Sequence, residues 1–479
     1  MIERSPWQPV RGTRDVLPLE QAQLAAIGSL LDDMLNGWGY QAIDLPLLEQ
    51  RELYFRKAGE ELAGKLYDFV HHGRALALRP EWTASVLRAY LRALQTEPLP
   101  VRLRYAGPVF RYERPQRGTY RQFTQVGVEL IGGMTPQADA EVLALACGGL
   151  NQAGVTDWQV VIGHVGVARS LLAGLGLAER TVSRLLWSLE RLRREGTAGL
   201  RAELLPSGED LFDLGPMELL NDEQLQALLL TMLRAVGVPI NNSTRTPETI
   251  VARLVRKLRR NETQGALERA LDLLLRLAAA RGTPAAALAS AAELLRAEGL
   301  SSAPLGELEA ILADLVAGGI PPERLTIDLG MSRGLHYYTG MIFEIAGADG
   351  LQLCGGGRYD ELLTALGSNG SVPAVGFAYG LERVAAAARP RSVPAAPLLL
   401  VMTEEQLFGE ALHVAEQLRD RGYVAQLDVR RRSLQANLRD ATKRGAHAVV
   451  EVAGDGEVIW HDPHEGPRRG PLAVVVPVL

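Results

Sequence analysis

Two cysteines in 479 residues, Cys147 and Cys354, lie far apart and share no CxxC spacing. That scarcity excludes a disulfide framework and a cysteine-built zinc site, and a reducing cytoplasm is the expected setting. Long apolar runs are missing as well. Leu398–Met402 and Leu472–Leu479 fall far short of the ~20 residues that span a bilayer, so no membrane association is expected. Met1–Asp15 carries Glu3, Arg4, Arg11, Arg14 and Asp15 and lacks the apolar stretch of a secretory leader, so none is expected. Neither sign of charge dominates: 51 Lys+Arg stand against 56 Asp+Glu, a net charge of −5. Any contact with nucleic acid must therefore rest on local patches. What is present is ordinary globular material, 47% hydrophobic and 22% charged. The length suggests two to four domains.

The first segment, 1–177, alternates helical stretches with short apolar runs. Gln21–Gly37 places Leu24, Ile27, Leu30, Leu31, Met34 and Leu35 at helical spacing and stops at Gly37 and Gly39. Val101–Ala106 and Gln125–Ile131 read as strands of an antiparallel hairpin around the polar turn Arg117–Tyr120. Ala138–Leu150 returns to helix. Over 178–320 Leu, Ala and Arg dominate at helical spacing, in Val182–Glu195, Glu223–Val236, Glu248–Arg260 and Leu267–Arg281. With no fixed repeat period, this reads as a helical insertion rather than a solenoid. Strands resume over 321–386 at Leu325–Leu329, Gly340–Ile345 and Ala374–Phe377. The Pro/Ala-rich stretch 387–397 is an expected linker. The segment 398–479 then runs strand (Leu398–Met402), helix (Leu407–Arg421), strand (Val424–Asp428), helix (Leu434–Arg444), strand (Ala448–Val452). That alternation predicts a small α/β domain with a parallel sheet, cut short after its third strand.

Four clusters could carry chemistry. Arg111–Phe123 offers Arg111, Glu113, Arg114, Arg117 and Arg121 on the hairpin and its loop. Guanidinium groups so presented suit bidentate capture of phosphate, and Tyr120 and Phe123 could stack on a base. A solvated hairpin tip is the alternative. Leu78-Arg-Pro-Glu-Trp-Thr83 is the second, joined by Gln125 and Glu129, which are four apart and so share one face of a strand. Glu81 and Glu129 could bind an ammonium group, since carboxylates on apolar strands are costly to bury without a cation. Taken singly, they read as surface acids. The third is Ser332–Gly340 with Cys354–Asp360, whose glycines allow close approach of a ligand or simply serve turns. The fourth, Val375–Arg383, reads as a strand running into a helix that sets Arg383 near its start, a good anion site. His461-Asp-Pro-His464 reads as a surface loop, with no third ligand for a metal. No Ser/His/Asp or Cys/His nucleophile stands out.

In this order the clusters resemble the core of a class II aminoacyl-tRNA synthetase, specifically of the histidyl-tRNA synthetase family. Motif 1 would be the helix with Tyr40–Pro46, motif 2 Arg104–Gly132 and motif 3 Ala374–Val384. Leu78-Arg-Pro-Glu81, Arg333-Gly-Leu-His-Tyr-Tyr338, Gly356-Gly-Arg-Tyr-Asp360 and Arg11-Gly-Thr-Arg-Asp15 carry the family's own signatures. The likeness covers residues 10–175 and 322–385, and more loosely 398–460.

The resemblance implies an α+β protein: a six- or seven-stranded antiparallel sheet core with a helical insertion, dimerising through motif 1, and a C-terminal α/β anticodon-binding domain. Arg111 and Arg383 would hold ATP phosphates, and Glu113 and Phe123 would face adenine. Glu81, Gln125 and Glu129 would bind the histidine amino group, with Thr83 in the same site, and Tyr337 and Tyr338 would line the imidazole pocket. Arg333 would sit on the α-phosphate of ATP and stabilise charge as the histidine carboxylate attacks. Mg²⁺ would accompany the pyrophosphate; no organic cofactor and no protein-held metal is implied. The products would be histidyl-adenylate and then histidyl-tRNA(His).

The same family includes a non-catalytic histidine sensor, the regulatory subunit that partners the ATP phosphoribosyltransferase catalytic subunit in histidine biosynthesis. Trp82, where synthetases have Gly, would crowd the amino-acid pocket, and His336 stands where they have Asp. Phe123–Ile131 and Ile162–Gly166 also lean that way. Arg111, Arg333, Arg383, the Glu113–Gly118 loop and the anticodon-like domain lean toward the ligase. That domain is not basic overall: from Pro397 onward it has ten basic residues against twelve acidic. Arg430–Arg432 and the helical patch Arg253, Arg256, Lys257, Arg259 and Arg260 are candidate RNA contacts or solvated faces.

Overall fold

The computed structural model describes residues 7–55, 64–114, 118–204, 220–235, 246–249, 251–252, 255, 264–332, 337–389, 396–462 and 465–476. It divides into two compact units, Met1–Arg389 and Pro390–Leu479, and the division falls inside the expected linker.

The strands of the first unit are β1 (Gln41–Ala42), β2 (Leu48–Gln50), β3 (Asp68–His71), β4 (Arg74–Leu78), β5 (Val101–Phe110), β6 (Gln122–Ile131), β7 (Trp158–His164), β8 (Arg281–Gly282), β9 (Leu325–Asp328), β10 (Met341–Gly347), β11 (Gln352–Arg358) and β12 (Ala374–Gly380). Nine of them make one sheet in the order β1-β5-β6-β12-β11-β10-β7-β9-β8, and β2-β4-β3 make a small antiparallel one. The large sheet is antiparallel from β5 to β7, but β1 pairs β5 in parallel and β9 pairs β7 in parallel. It is therefore wider than the expected six or seven strands and mixed at its flanks. Strands that return after a long crossover can enter parallel, which a hairpin cannot do. The expected hairpin is longer than its apolar runs suggested, in register from Val101↔Ile131 to Phe110↔Gln122.

The pleat of β6 separates core from site. Val126, Val128 and Leu130 belong to the core shared with the helices Pro18–Gly37 and Gln137–Gln152, which contribute Leu31, Leu35, Val142, Leu143 and Leu150. Gln125, Gly127 and Glu129 alternate with them and so face the opposite side, where Tyr105 of β5 stands across from Gly127.

Among the described residues of 178–320, helices run over Glu179–Trp187, Leu189–Glu195, Ala198–Leu204, Asp222–Ala235, Gln264–Ala278, Pro284–Ala297 and Ala303–Ala317, while most of the helix expected over Glu248–Arg260 lies outside the described residues. The single helix expected over Val182–Glu195 is broken at Ser188, whose hydroxyl donates to Arg184 O at 2.8 Å and competes with the helical ladder. Leu271, Leu274, Leu295 and Leu308 join the same core as Ile162 and Ile327 of the sheet. The basic patch Arg253, Arg256, Lys257, Arg259 and Arg260 lies outside the described residues.

The second unit is a five-stranded sheet, β13 (Leu398–Thr403), β14 (Val424–Leu427), β15 (Ala448–Gly454), β16 (Glu457–His461) and β17 (Arg468–Pro471), in the order β14-β13-β15-β16-β17. β13, β14 and β15 are parallel, as expected, and β16 and β17 then add antiparallel strands beyond the predicted end of the sheet. The turn that starts them is Gly454-Asp-Gly456, with φ of +89°, +55° and +77°, where glycine removes most of the strain of three left-handed residues. Ser433 caps the helix Leu434–Arg444 by accepting from Ala436 N, and Gly445 closes it at φ 64°. The Arg430–Arg432 patch is largely spent internally: Arg432 pairs with Asp428 at 2.9 Å and Asp440 at 3.0 Å, and Arg431 with Glu405 at 2.8 Å. Among the described residues, no helix is long and apolar enough to cross a membrane.

Candidate active site

A cavity of about 370 Å³ opens over β6, β11 and β12 of the first unit. Glycines floor it. A Cβ at Gly376 would collide with the Glu129 carboxylate, and one at Gly356 would lie 2.6 Å from Phe377 Cβ, so only hydrogen fits at either place.

One end is built for a cation. Glu81 is buried and accepts Ala84 N on Oε1 at 3.0 Å, while its Oε2 has no partner among the described residues. Gln125 Oε1 is likewise buried and without a partner among the described residues. Unmet acceptors in a buried, acidic pocket are costly, and burial accordingly raises the Glu81 carboxyl above its ordinary range. Beneath them Glu129 is fully buried and does not line the cavity. Its Oε1 accepts from Thr83 Oγ1 at 2.7 Å and from Tyr105 OH at 3.1 Å, and its Oε2 accepts from Tyr359 OH. Burial pushes its carboxyl up to about 8 despite these hydroxyls. Tyr337 and Tyr338 form the adjoining wall, their rings 4.9 Å apart.

The other end is cationic. Arg111 Nε donates to Pro80 O at 2.8 Å, and its guanidinium stands 5.5 Å from the centre of the Phe123 ring. Arg383, at the start of the helix Leu381–Ala387 as expected, donates to Gly118 O at 2.7 Å, Gln352 O at 3.1 Å and Thr119 Oγ1 at 3.2 Å. Burial and the nearby Arg111 both work against its charge, a cost that a bound anion would offset. Glu113 lies 3.8 Å from Lys65, and both line this end.

Glu81, Thr83, Arg111, Glu113, Phe123, Gln125, Tyr337, Tyr338 and Arg383 thus meet around one cavity. Arg333, His336 and Arg117 lie outside the described residues. Trp82 departs from expectation. It is fully buried, does not line the cavity, stacks on Tyr105 and donates its Nε1 to Gly107 O at 3.4 Å. The chain turns into the helix Thr83–Ala93 at this residue, so Glu81 and Thr83 face the cavity while the indole goes into the core behind it. The pocket is not crowded by Trp82. Sequence reasoning missed Glu190, Glu344 and Glu382, which also line the cavity. Glu382 accepts Thr124 N at 2.8 Å, and only its place next to Arg383 hinted at it. Nothing in the Leu- and Arg-rich sequence around Glu190 marks it.

The family Histidyl-tRNA synthetase matches residues 12–212 and 219–384, and the family Anticodon binding domain matches residues 398–458. The histidine–tRNA ligase of Methanocaldococcus jannaschii is 33% identical over 94% of this chain and 93% of its own length. That of Archaeoglobus fulgidus is also 33% identical, over 94% and 92%. Among solved structures, apo S. aureus histidyl-tRNA synthetase superposes with a TM-score of 0.63 at 25% identity, covering 98% of both chains. A Bacillus halodurans protein described as an ATP phosphoribosyltransferase regulatory subunit/histidyl-tRNA synthetase gives 0.64 at 25% identity, covering 95% of this chain and 99% of that one. With the clustered motifs and the antiparallel-rich sheet, these matches over nearly the whole length mean that the chain belongs to the histidyl-tRNA synthetase family.

Proposed function

We propose that the protein is a histidine–tRNA ligase, which joins histidine to ATP as histidyl-adenylate and passes the histidyl group to tRNA(His). The observation that carries this is the polarity of one cavity: Glu81 Oε2 and Gln125 Oε1, without partners among the described residues, at one end, and Arg111 and Arg383 at the other. An amino acid and a nucleotide triphosphate fit that gradient, ammonium toward the acids and phosphates toward the guanidiniums.

In this reading the histidine ammonium sits against Glu81 and Gln125, held near Thr83, and the imidazole lies beside Tyr337 and Tyr338. Glu129 acts from beneath, setting the Thr83, Tyr105 and Tyr359 hydroxyls. Phe123 and Glu113 face the adenine, and Arg111 and Arg383 hold phosphate oxygens. The carboxylate then attacks the α-phosphorus, the bond to the β-phosphate breaks, and pyrophosphate leaves. Arg333 is assigned to the α-phosphate, where a fixed positive charge stabilises the developing anion. Positioning supplies much of the remaining acceleration. A tRNA terminal hydroxyl next attacks the acyl carbon, and AMP departs.

ATP enters as its Mg²⁺ complex. Among the described residues no group of three His, Cys, Asp or Glu side chains forms a metal cage. One or two carboxylates with phosphates and water suffice for Mg²⁺, and Glu344 and Glu382 on the cavity wall are the candidates. A homodimer through motif 1 would cover the exposed Leu47 and Leu48. The second unit would read the anticodon.

The non-catalytic regulatory reading is not favoured, because a histidine sensor needs no pair of phosphate-facing arginines and Trp82 leaves the pocket open. Charging of tRNA(His) with labelled histidine by the purified protein tests the proposal. Histidyl-tRNA formation is expected, and histidine binding without any charging would contradict it.

A further inference from the structure

No residue of the signature Arg11-Gly-Thr-Arg-Asp15 lines the cavity, yet the turn it helps to form is bound to the cavity's cationic end. Thr13 donates both its N–H, at 2.8 Å, and its hydroxyl, at 2.7 Å, to Val10 O and so closes a tight turn. Arg121, the residue before β6, is the partner of that turn. Its N–H donates to Gly12 O at 2.8 Å and its Nη1 to Arg11 O at 2.9 Å. The same guanidinium reaches across the hairpin, where Nε donates to Glu113 O at 3.1 Å and Cζ stands 3.8 Å from the centre of the Tyr112 ring. Arg121 O accepts Arg111 N at 2.9 Å. One residue thus joins 10–13 to 111–113, and Arg111 and Glu113 both line the cavity. The turn is shaped for this neighbour: Gly12 has φ +88°, and a Cβ there would lie 2.6 Å from Arg121 Cδ.

We propose that Arg121 is a positioning residue for ATP: buckled to the turn 10–13, it fixes the backbone from which Arg111 and Glu113 reach the nucleotide. The inference rests on the assignment of the cationic end to ATP made above. Beyond Phe110 the ladder with β6 ends, and the backbone of 111–113 is held instead by Arg121 and by Lys65 O, which accepts Tyr112 N at 2.7 Å. A charge-assisted bond to Glu113 O restricts the chain between the two cavity-lining side chains. Arginine suits the task because its planar fork reaches two carbonyls while its face stacks on a ring, which a lysine ammonium cannot do. The buckle has a fixed base. Arg14 stands 4.5 Å from the centre of the Tyr120 ring and pairs with Glu20, in the first turn of the helix Pro18–Gly37. The N-terminal turn thereby contributes to nucleotide binding without touching the nucleotide.

Histidine-dependent ATP–pyrophosphate exchange on the full chain tests this, with Arg121→Ala, Arg121→Lys, Gly12→Ala and Arg111→Ala. Arg121→Ala is expected to lower kcat/KM for ATP about 10- to 100-fold, the size of effect that follows from misplacing a binding group. The histidine KM should stay within about twofold, a split that a general loss of structure would not produce. Arg121→Lys keeps the charge and loses the fork, so it should be nearly as poor as the Ala variant. Gly12→Ala leaves Arg121 in place and disturbs only its seat, and should lower kcat/KM for ATP about 3- to 10-fold. An unaffected ATP dependence in Arg121→Ala, full activity in Arg121→Lys, an equal rise in the histidine KM, or a Gly12→Ala variant with the wild-type ATP dependence would overturn the proposal. Arg111→Ala with normal use of ATP would instead overturn the assignment of the cationic end, and the inference with it.

Discussion

Trp82 lies flat against Tyr105, ring centroids 4.8 Å apart and planes 11° from parallel, with the Arg79 guanidinium 3.5 Å above the indole. Tyr105 in turn donates its hydroxyl to Glu129 at 3.1 Å. The tryptophan thus supports the floor of the cavity from behind and is a packing residue, not a barrier to the amino acid.

Trp82→Phe is expected to lose the indole N–H bond and part of the stack, costing about 1–2 kcal/mol of stability in a urea titration. The histidine KM should stay within about twofold, since the indole does not line the cavity. A tenfold change in KM at unchanged stability would place the residue back in the pocket.

Arg383 is held by three acceptors at the cationic end of the cavity, the end proposed to take the nucleotide. Arg383→Ala is predicted to lower kcat for exchange by about 10²–10³, the usual loss for one electrostatic contact at a phosphoryl centre. Histidine binding, followed by calorimetry without ATP, should persist. Loss of histidine binding with ATP binding intact would reverse the two ends of the site.

Glu129 carries a pH signature. Its folded value, about 8, lies above the ordinary 4.5, so the folded protein keeps a proton that the unfolded chain releases between those values. Stability therefore falls as pH rises through that window and levels off above it. Glu129→Gln holds no such proton, so the gap between wild type and variant should change across that window and be flat above pH 8. Denaturant titrations at several pH values read it. Parallel curves for the two proteins would contradict the buried, neutral carboxyl.

Burial also raises the Glu81 carboxyl above its ordinary range. A bound ammonium favours the carboxylate form, and histidine binding should release protons. Calorimetry in buffers of different ionisation heat, run on the wild type and Glu81→Gln at several pH values, separates that release from the titration of the histidine imidazole. The release should vanish in Glu81→Gln, and net proton uptake by the wild type would place the ammonium elsewhere.

The motif residues were legible because their spacing matched the pleat. Gln125 and Glu129, four apart on β6, do share a face, and Arg383 does start a helix. What the pleat could not tell is depth: the same face puts Gln125 in the cavity and Glu129 beneath it. Trp82 misled because a residue between two site residues at a helix start points away from both, and a linear motif does not show that turn. Glu190 was invisible, since it reaches the site through the break at Ser188 and a contact to a backbone N–H 142 residues away. The strands β16 and β17 were missed although Gly454-Asp-Gly456 announced their turn, because the flanking runs are short and interrupted by charge.

The central claim is that this cavity makes an adenylate from histidine. Histidine-dependent ATP–pyrophosphate exchange by the purified protein, run beside the same assay with other amino acids, tests it most directly. Exchange with histidine alone is the predicted result. Histidine binding without exchange would mean that the arginines hold no reactive triphosphate, and the account of the site as a ligase would be wrong.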